Sequence, residues 1–179
     1  MTTLATFLLA HLIGDFPLQT NRIFKLKNEG NLGIALHVAI HVIITAIFIQ
    51  NPLQHWHVLA ILGIVHFATD WAKLRIPMRR QAPGFVLDQA AHVLTIVALV
   101  TLFPNIPTSL PDWALYPALL LAIIPAMMTF GWVWANDISC QSVQTNSGRV
   151  QWARRSLLPM SQRMGRIIFI MVLSCMVII

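Results

Sequence analysis

Four hydrophobic stretches of this chain each contain two ionisable residues that are spaced four positions apart. Residues i and i+4 of an α-helix lie on one face, so each pair would present its two side chains in the same direction. Ionisable groups are costly inside a membrane-spanning helix and normally mark a functional site there. The pattern therefore predicts four helices that enclose one polar centre within a membrane. The pairs are His11 with Asp15, His37 with His41, His66 with Asp70, and Asp88 with His92.

The composition supports a membrane location, because 57% of the residues are hydrophobic and only 10% are charged, whereas a soluble domain is about 25% charged. We expect an all-α, polytopic membrane protein with about six transmembrane helices, four of them close to the ~20 residues that span a bilayer and the first and last shorter. A single domain, 1–179, would contain a four-helix bundle around the polar centre, 1–103, followed by flanking helices and a cytoplasmic loop, 104–179. The predicted spans are Thr3–Thr20, Leu32–Gln50, Val58–Leu74, Gly84–Phe103, Ala114–Ala135 and Met164–Ile179, and the predicted loop is Asn136–Gln162.

The basic residues indicate an orientation in the membrane. All 12 of them fall at alternate connections between the predicted helices, whereas the connections 51–57 and 104–113 contain none. By the positive-inside rule the basic connections face the cytoplasm, which places both termini outside. We therefore expect a multi-pass protein of a bacterial-type cytoplasmic (inner) membrane, with membrane lipids as partners and no nucleic-acid partner. The sequence is also compatible with an oligomer.

The four pairs also agree in depth, which predicts a metal centre. Counted at ~1.5 Å per residue from the basic end of each helix, one member of each pair lies ~6 Å deep and the other ~12 Å. Imidazole and carboxylate groups on facing helices form metal sites in helical bundles. We predict that a divalent metal binds here, with zinc as the expected ion and iron or manganese as alternatives. The predicted ligands are Asp15, His37, Asp70 and Asp88 in the shallower layer, and His11, His41, His66 and His92 in the deeper layer.

A metal centre near the cytoplasmic surface favours a hydrolase. One or two bound ions would activate water and polarise a phosphoryl or acyl group, with Asp88 and Asp15 as candidate catalytic carboxylates. Lysine side chains at the same end could attract an anionic headgroup or a phosphate. We therefore predict a metal-dependent hydrolase of lipid or lipid-linked phosphoesters at the cytoplasmic leaflet. The candidate substrate-binding residues are Gln19, Lys25, Lys73 and Gln89.

The same residues leave alternatives open. Histidine–aspartate pairs on facing helices also form transient sites in divalent-cation or proton transporters, although both layers lie nearer one face than the midplane expected of a transporter. Haem ligation by the deeper histidines is a further alternative, which the neighbouring carboxylates disfavour. A non-catalytic assembly protein would leave the polar centre without a role.

The order of these motifs resembles a known family. The first helix contains His-x-x-Gly-Asp-Phe-x-x-Gln-Thr over residues 11–20, and the other three pairs follow in order, within about residues 5–95. This arrangement resembles a family of small multi-pass membrane proteins of bacteria and their phages, catalogued as a domain of unknown function. The resemblance implies a membrane location but no activity. A weaker similarity links the His/Asp-rich helices to membrane-bound proteins described as metal-dependent hydrolases.

Overall fold

The protein is all-helical in a computed structural model that describes residues 1–76, 78–141 and 148–178. Within these residues no strand forms, and one isolated antiparallel bridge joins Ile49 to Thr108. The predicted all-α class is confirmed. The helices are α1 (Thr2–Asp15), α2 (Asn21–Glu29), α3 (Asn31–Phe48), α4 (Trp56–Arg75), α5 (Gln81–Leu102), α6 (Asp112–Gln141) and α7 (Gly148–Ile178).

Hydrogen bonds place the helix termini at two opposite ends of the bundle. One end contains α2 and the basic connections, and we call it the basic end. There the Asp137 carboxylate of α6 accepts a hydrogen bond from the backbone N–H of Ala82 at the start of α5 (2.6 Å). At the other end, the Thr3 hydroxyl of α1 donates to the backbone oxygen of Ile106, which precedes α6 (3.1 Å). Successive long helices therefore run in opposite directions. The central helix is α1, which contacts α3, α5 and α6.

Four of the helices, α3, α5, α6 and α7, are long and apolar enough to cross a membrane. Large apolar side chains in the middle of several helices, such as Ile64, Leu94 and Ile170, are exposed. Extended apolar surface of this kind is rare on soluble monomers and fits contact with lipid. The chain thus has the helices of a membrane protein. The 14 residues of α1 rise only ~21 Å, less than the ~30 Å of a bilayer core. Length and composition alone therefore support four of the six predicted spans.

Most of the predicted cytoplasmic loop Asn136–Gln162 is helical in the described residues. Helix α6 continues to Gln141 and α7 begins at Gly148, while residues 142–147 of the predicted loop lie outside the described residues. A helix can continue past its apolar run when polar partners are available. Here the Trp132 indole donates to the backbone oxygen of Arg154 (3.1 Å), whose guanidinium donates to Ser139 (2.7 Å). These contacts join the polar ends of α6 and α7.

The first connection also differs from the prediction. The predicted span Thr3–Thr20 ends at Asp15, since Pro17 cannot supply the backbone N–H that would continue the helix. A separate polar helix, α2, follows, and the Thr20 side chain caps it by accepting a hydrogen bond from the Ile23 N–H. Hydropathy gives no sign of α2 because this helix is polar and only nine residues long.

Candidate metal centre

The structure brings all eight predicted ligands together between α1, α3, α4 and α5. Their five imidazole rings are buried and lie against one another. The ring centroids are 4.1 Å apart for His41–His66 and for His66–His92. The corresponding distances are 4.6 Å for His37–His41 and 5.2 Å for His11–His92. The i, i+4 pairs of four helices therefore do form one polar centre.

The carboxylate of Asp15 connects the first group of possible ligands. Its Oδ1 lies 3.1 Å from Nε2 of His41 and 3.2 Å from Nε2 of His37. Asp15, His37, His41 and His66 each offer one ligand atom, and these atoms lie within 4.8 Å of one another. Atoms bound ~2.0–2.2 Å from one ion are separated by ~3.0–3.5 Å in tetrahedral or octahedral coordination. The nitrogen–oxygen separations around Asp15 have this size, so the group could hold a metal ion.

A second group consists of His66, Asp70 and His92. Oδ2 of Asp70 lies 3.5 Å from Nε2 of His66, and Oδ1 lies 3.6 Å from Nε2 of His92. Asp88 adjoins this group, because its Oδ1 is also 3.6 Å from Nε2 of His92. His66 belongs to both groups, and its Nε2 can bind only one ion. Two ions at once would therefore need Asp88 or another neighbour as an additional ligand.

Several polar atoms of the centre are buried without a hydrogen-bond partner among the described residues. Nε2 of His37 is one of them, since its 3.2 Å approach to Asp15 lacks hydrogen-bond geometry. Native structures rarely leave such atoms unpaired, because each costs free energy. A cation would satisfy nitrogen and oxygen lone pairs together. The unpaired atoms are Nδ1 and Nε2 of His37, Nε2 of His66, Oδ2 of Asp70 and Oδ1 of Asp88.

Two lysines reach the carboxylates of the centre. Nζ of Lys27 lies 2.6 Å from Oδ1 of Asp70, and Nζ of Lys73 lies 2.6 Å from Oδ2 of Asp88. The structure does not bring Lys25, a predicted substrate-binding residue, to the centre, because its side chain is 79% exposed and pairs with Glu29. Sequence reasoning did not assign Lys27 to the site. Positions 25 and 27 lie about 200° apart around a helix, so recognising α2 would have shown that only one of them can face the bundle.

A cavity of about 600 Å³ joins the centre to the basic end. Asp15, Asp88 and Gln89 border it near the centre, and Lys27 and Lys73 border it as well. Of the predicted substrate-binding residues, Gln19, Lys73 and Gln89 line this cavity and Lys25 does not. The Gln89 amide donates to Oδ2 of Asp15 (2.7 Å). One wall of the polar centre is therefore accessible from the basic end.

Gly14 and Gly33 allow two close approaches that shape the site. A Cβ atom at Gly14 would overlap the imidazole of His41, so glycine lets that ring lie across α1 beside Asp15. A Cβ at Gly33 would overlap the backbone carbonyl of Leu26, so glycine lets α2 lie directly against the start of α3. Gly14, the glycine of the first-helix motif, therefore allows the His41 ring to lie in the centre.

A family model described as Protein of unknown function (DUF3307) matches residues 3–121, about two thirds of the chain. The chain belongs to this family. The match includes every residue of the polar centre and extends beyond the predicted limit near residue 95 into α6. Membership in a family of unknown function is thus confirmed. The signature motif, the description of the family as small membrane proteins of bacteria and phages, and the similarity to metal-dependent hydrolases stay predictions. No curated protein and no solved structure is significantly similar to the chain.

Proposed function

We propose that this membrane protein binds a divalent metal in its His/Asp centre and hydrolyses lipid or lipid-linked phosphoesters at the cytoplasmic leaflet. The observation that carries the proposal is the set of buried nitrogen and oxygen atoms that converge without hydrogen-bond partners beside a cavity. Zinc suits a ligand set of imidazole and carboxylate, and iron or manganese would also fit it.

Asp15, His37, His41 and His66 are the proposed ligands of the principal ion. A divalent ion held there supplies a Lewis acid for a phosphoryl oxygen and an activated water molecule. Asp88 is the proposed general base, because it borders the cavity and its Oδ1 has no hydrogen-bond partner among the described residues. Oδ1 would accept a proton as the water oxygen bonds to phosphorus. The ester P–O bond would break, and its electron pair would leave with the alcohol oxygen, which takes a proton from solvent in the cavity.

The lining of the cavity supports an amphiphilic phosphate as substrate. Lys73, whose side chain is 34% exposed, offers an ammonium group to a phosphoryl oxygen, while Gln19 and Gln89 offer amides. Much of the remaining lining is apolar and could accept the first methylene groups of a lipid chain. The apolar lining residues are Phe16, Phe24, Leu74, Ile76, Met78, Phe85, Val133 and Leu158.

The orientation follows from the charge distribution. We infer that the basic end faces the cytoplasm and that both termini lie outside. We also infer that α1 and α4 cross the membrane together with the four helices of sufficient length and apolarity, in a bacterial-type cytoplasmic membrane. The mouth of the cavity would then lie at the level of the inner-leaflet headgroups.

Cation or proton transport is the principal alternative, and the packing on the far side of the centre argues against it. Phe7, Phe48, Leu62 and Ile96 all lie between the histidines and the end opposite α2, and all four are buried. A permeating ion would have to displace this apolar layer. Flux of zinc or protons across liposomes containing the purified protein would favour transport instead.

The first experiment is the metal content of the detergent-purified protein, measured by mass spectrometry. We expect at least one equivalent of metal in the wild type and none in a variant that combines His41→Ala with Asp70→Ala. His57→Ala is the matched control, because this histidine packs against Phe103 near the opposite end and lies outside the centre. A correctly folded wild type that retains no metal after incubation with zinc, iron or manganese would refute the metal centre.

Hydrolysis is then tested on vesicles that contain phosphatidic acid. We expect metal-dependent release of phosphate, which Asp88→Asn reduces by about 10²–10⁴-fold, the usual contribution of a general base. Asp112→Asn, at the start of α6, is the control and should retain full activity. Equal activity in the two variants would contradict the role of Asp88.

A further inference from the structure

The two ligand groups of the centre differ in how their carboxylates are neutralised. Among the described residues, the ion pairs of Asp15 all involve histidine, at 3.1–3.5 Å. Asp70 also has histidine neighbours, at 3.5–3.7 Å, but it is paired in addition with the ammonium of Lys27 at 2.6 Å. A divalent ion would therefore meet a carboxylate without an ammonium partner in the first group, but one that already has such a partner in the second.

Lys27 is held at this position by the docking of α2. The Asp70 side chain is fully buried and the Lys27 side chain is only 8% exposed. Lys27 borders the cavity whereas Asp70 does not, so the ammonium lies between this carboxylate and anything that enters. The contact between Leu26 and Gly33 seats the last turns of α2 against α3. The lysine is therefore part of the wall that separates the cavity from the second ligand group.

We propose that Lys27 is an internal cation that occupies the second metal position and leaves it when a phosphate-like dianion enters the cavity. This proposal rests on the proposed metal centre and specifies how that centre is regulated. An ammonium and a divalent ion on one buried carboxylate would repel each other strongly, because few solvent dipoles screen them. A dianion at the cavity wall gives the ammonium a new charge-assisted partner, which frees Oδ1 of Asp70 for the metal.

The consequence is that substrate binding and loading of the second metal are coupled. The resting protein holds one ion, in the group of Asp15, His37, His41 and His66. Binding of the dianion raises the affinity for a second ion at Asp70 and His92, while His66 stays with the first ion and Oδ1 of Asp88 stays available as the general base. By linkage, the second ion raises the affinity for the dianion by the same factor. The complete two-ion site would then exist only when substrate is present.

The test is zinc stoichiometry after equilibrium dialysis of the full-length, detergent-purified protein at one fixed free zinc concentration. Methylphosphonate is the dianion, because its P–C bond resists hydrolysis. We expect one zinc per chain for the wild type alone and two with methylphosphonate. Lys27→Met should bind two zinc ions without methylphosphonate, whereas Lys27→Arg and the exposed control Lys25→Met should bind one.

Each result decides between the two proposals. Two zinc ions in the wild type without methylphosphonate, or one in both the wild type with methylphosphonate and Lys27→Met, would overturn the role of Lys27 while leaving the metal centre intact. No zinc in any of these folded proteins would overturn both. The measurement on the wild type requires no substitution, so it remains decisive if Lys27→Met fails to fold.

Discussion

Three lysine–carboxylate pairs at the basic end form a series of decreasing burial, and replacing each lysine by methionine should give a matching series of stability losses. The Lys27 and Asp70 side chains are 8% and 0% exposed, those of Lys73 and Asp88 are 34% and 4% exposed, and Lys25 is largely in solvent. Removing one partner of a buried ion pair costs about 3–5 kcal/mol, since it leaves an uncompensated charge. Exposed pairs contribute about 0–1 kcal/mol.

We therefore expect Lys27→Met to lower the free energy of unfolding by about 3–5 kcal/mol and Lys25→Met by less than about 1 kcal/mol. Lys73→Met should lie between them, because partial exposure lets water replace some of the lost interaction. For a chain of this length each kcal/mol corresponds to about 2–4 °C in Tm, so Lys27→Met should melt roughly 6–20 °C lower.

The assay is thermal unfolding of the three detergent-solubilised variants in the presence of a chelator, so that no metal can replace the missing ammonium. A second variant, Lys27→Met combined with Asp70→Asn, should recover part of the loss because it also removes the unpaired charge. Equal melting temperatures for Lys27→Met and Lys25→Met would refute the reasoning, since the buried pair would then contribute no more than a solvated one.

Three further substitutions test the packing around the centre. Gly14→Ala should lower the free energy of unfolding by about 1–3 kcal/mol through overpacking against the His41 imidazole, and it should reduce bound zinc. Gly30→Ala, whose Cβ would meet nothing within 4 Å, should change neither quantity. Unchanged zinc content in Gly14→Ala would contradict the overlap. Asp137→Ala should lower the free energy of unfolding by about 1–2 kcal/mol, because it removes the acceptor for the first N–H groups of α5, and it should leave the zinc content unchanged. A melting curve equal to that of the wild type would contradict this capping role. Gly33→Ala should displace α2 and so resemble Lys27→Met in zinc stoichiometry; a stoichiometry like that of the wild type would show that α2 does not need this close contact.

The spacing of the ionisable residues was sufficient to predict which side chains meet. The two side chains of an i, i+4 pair project from the same face of their helix, whatever the surrounding fold. In an apolar environment the polar faces of several such helices are stable only when they pack against one another. Asp15, His41, His66 and His92 were therefore predicted as neighbours from four separate stretches of sequence, and the structure places them together. The all-α class followed from the same apolar runs.

Other features depend on contacts between residues that are distant in the sequence. Lys27 rather than Lys25 reaches the centre because α2 docks on α3, and no local pattern specifies that docking. The polar extensions of α6 and α7 persist because they bond to each other, and α5 begins where Asp137 of α6 caps it. The sequence alone thus determined that the apolar runs form helices, which faces of the first four runs are polar, and that the His/Asp pairs converge, because helical periodicity is a local property. Only the tertiary structure decided which lysine neutralises Asp70 and where the cavity lies, because both depend on how separate helices pack.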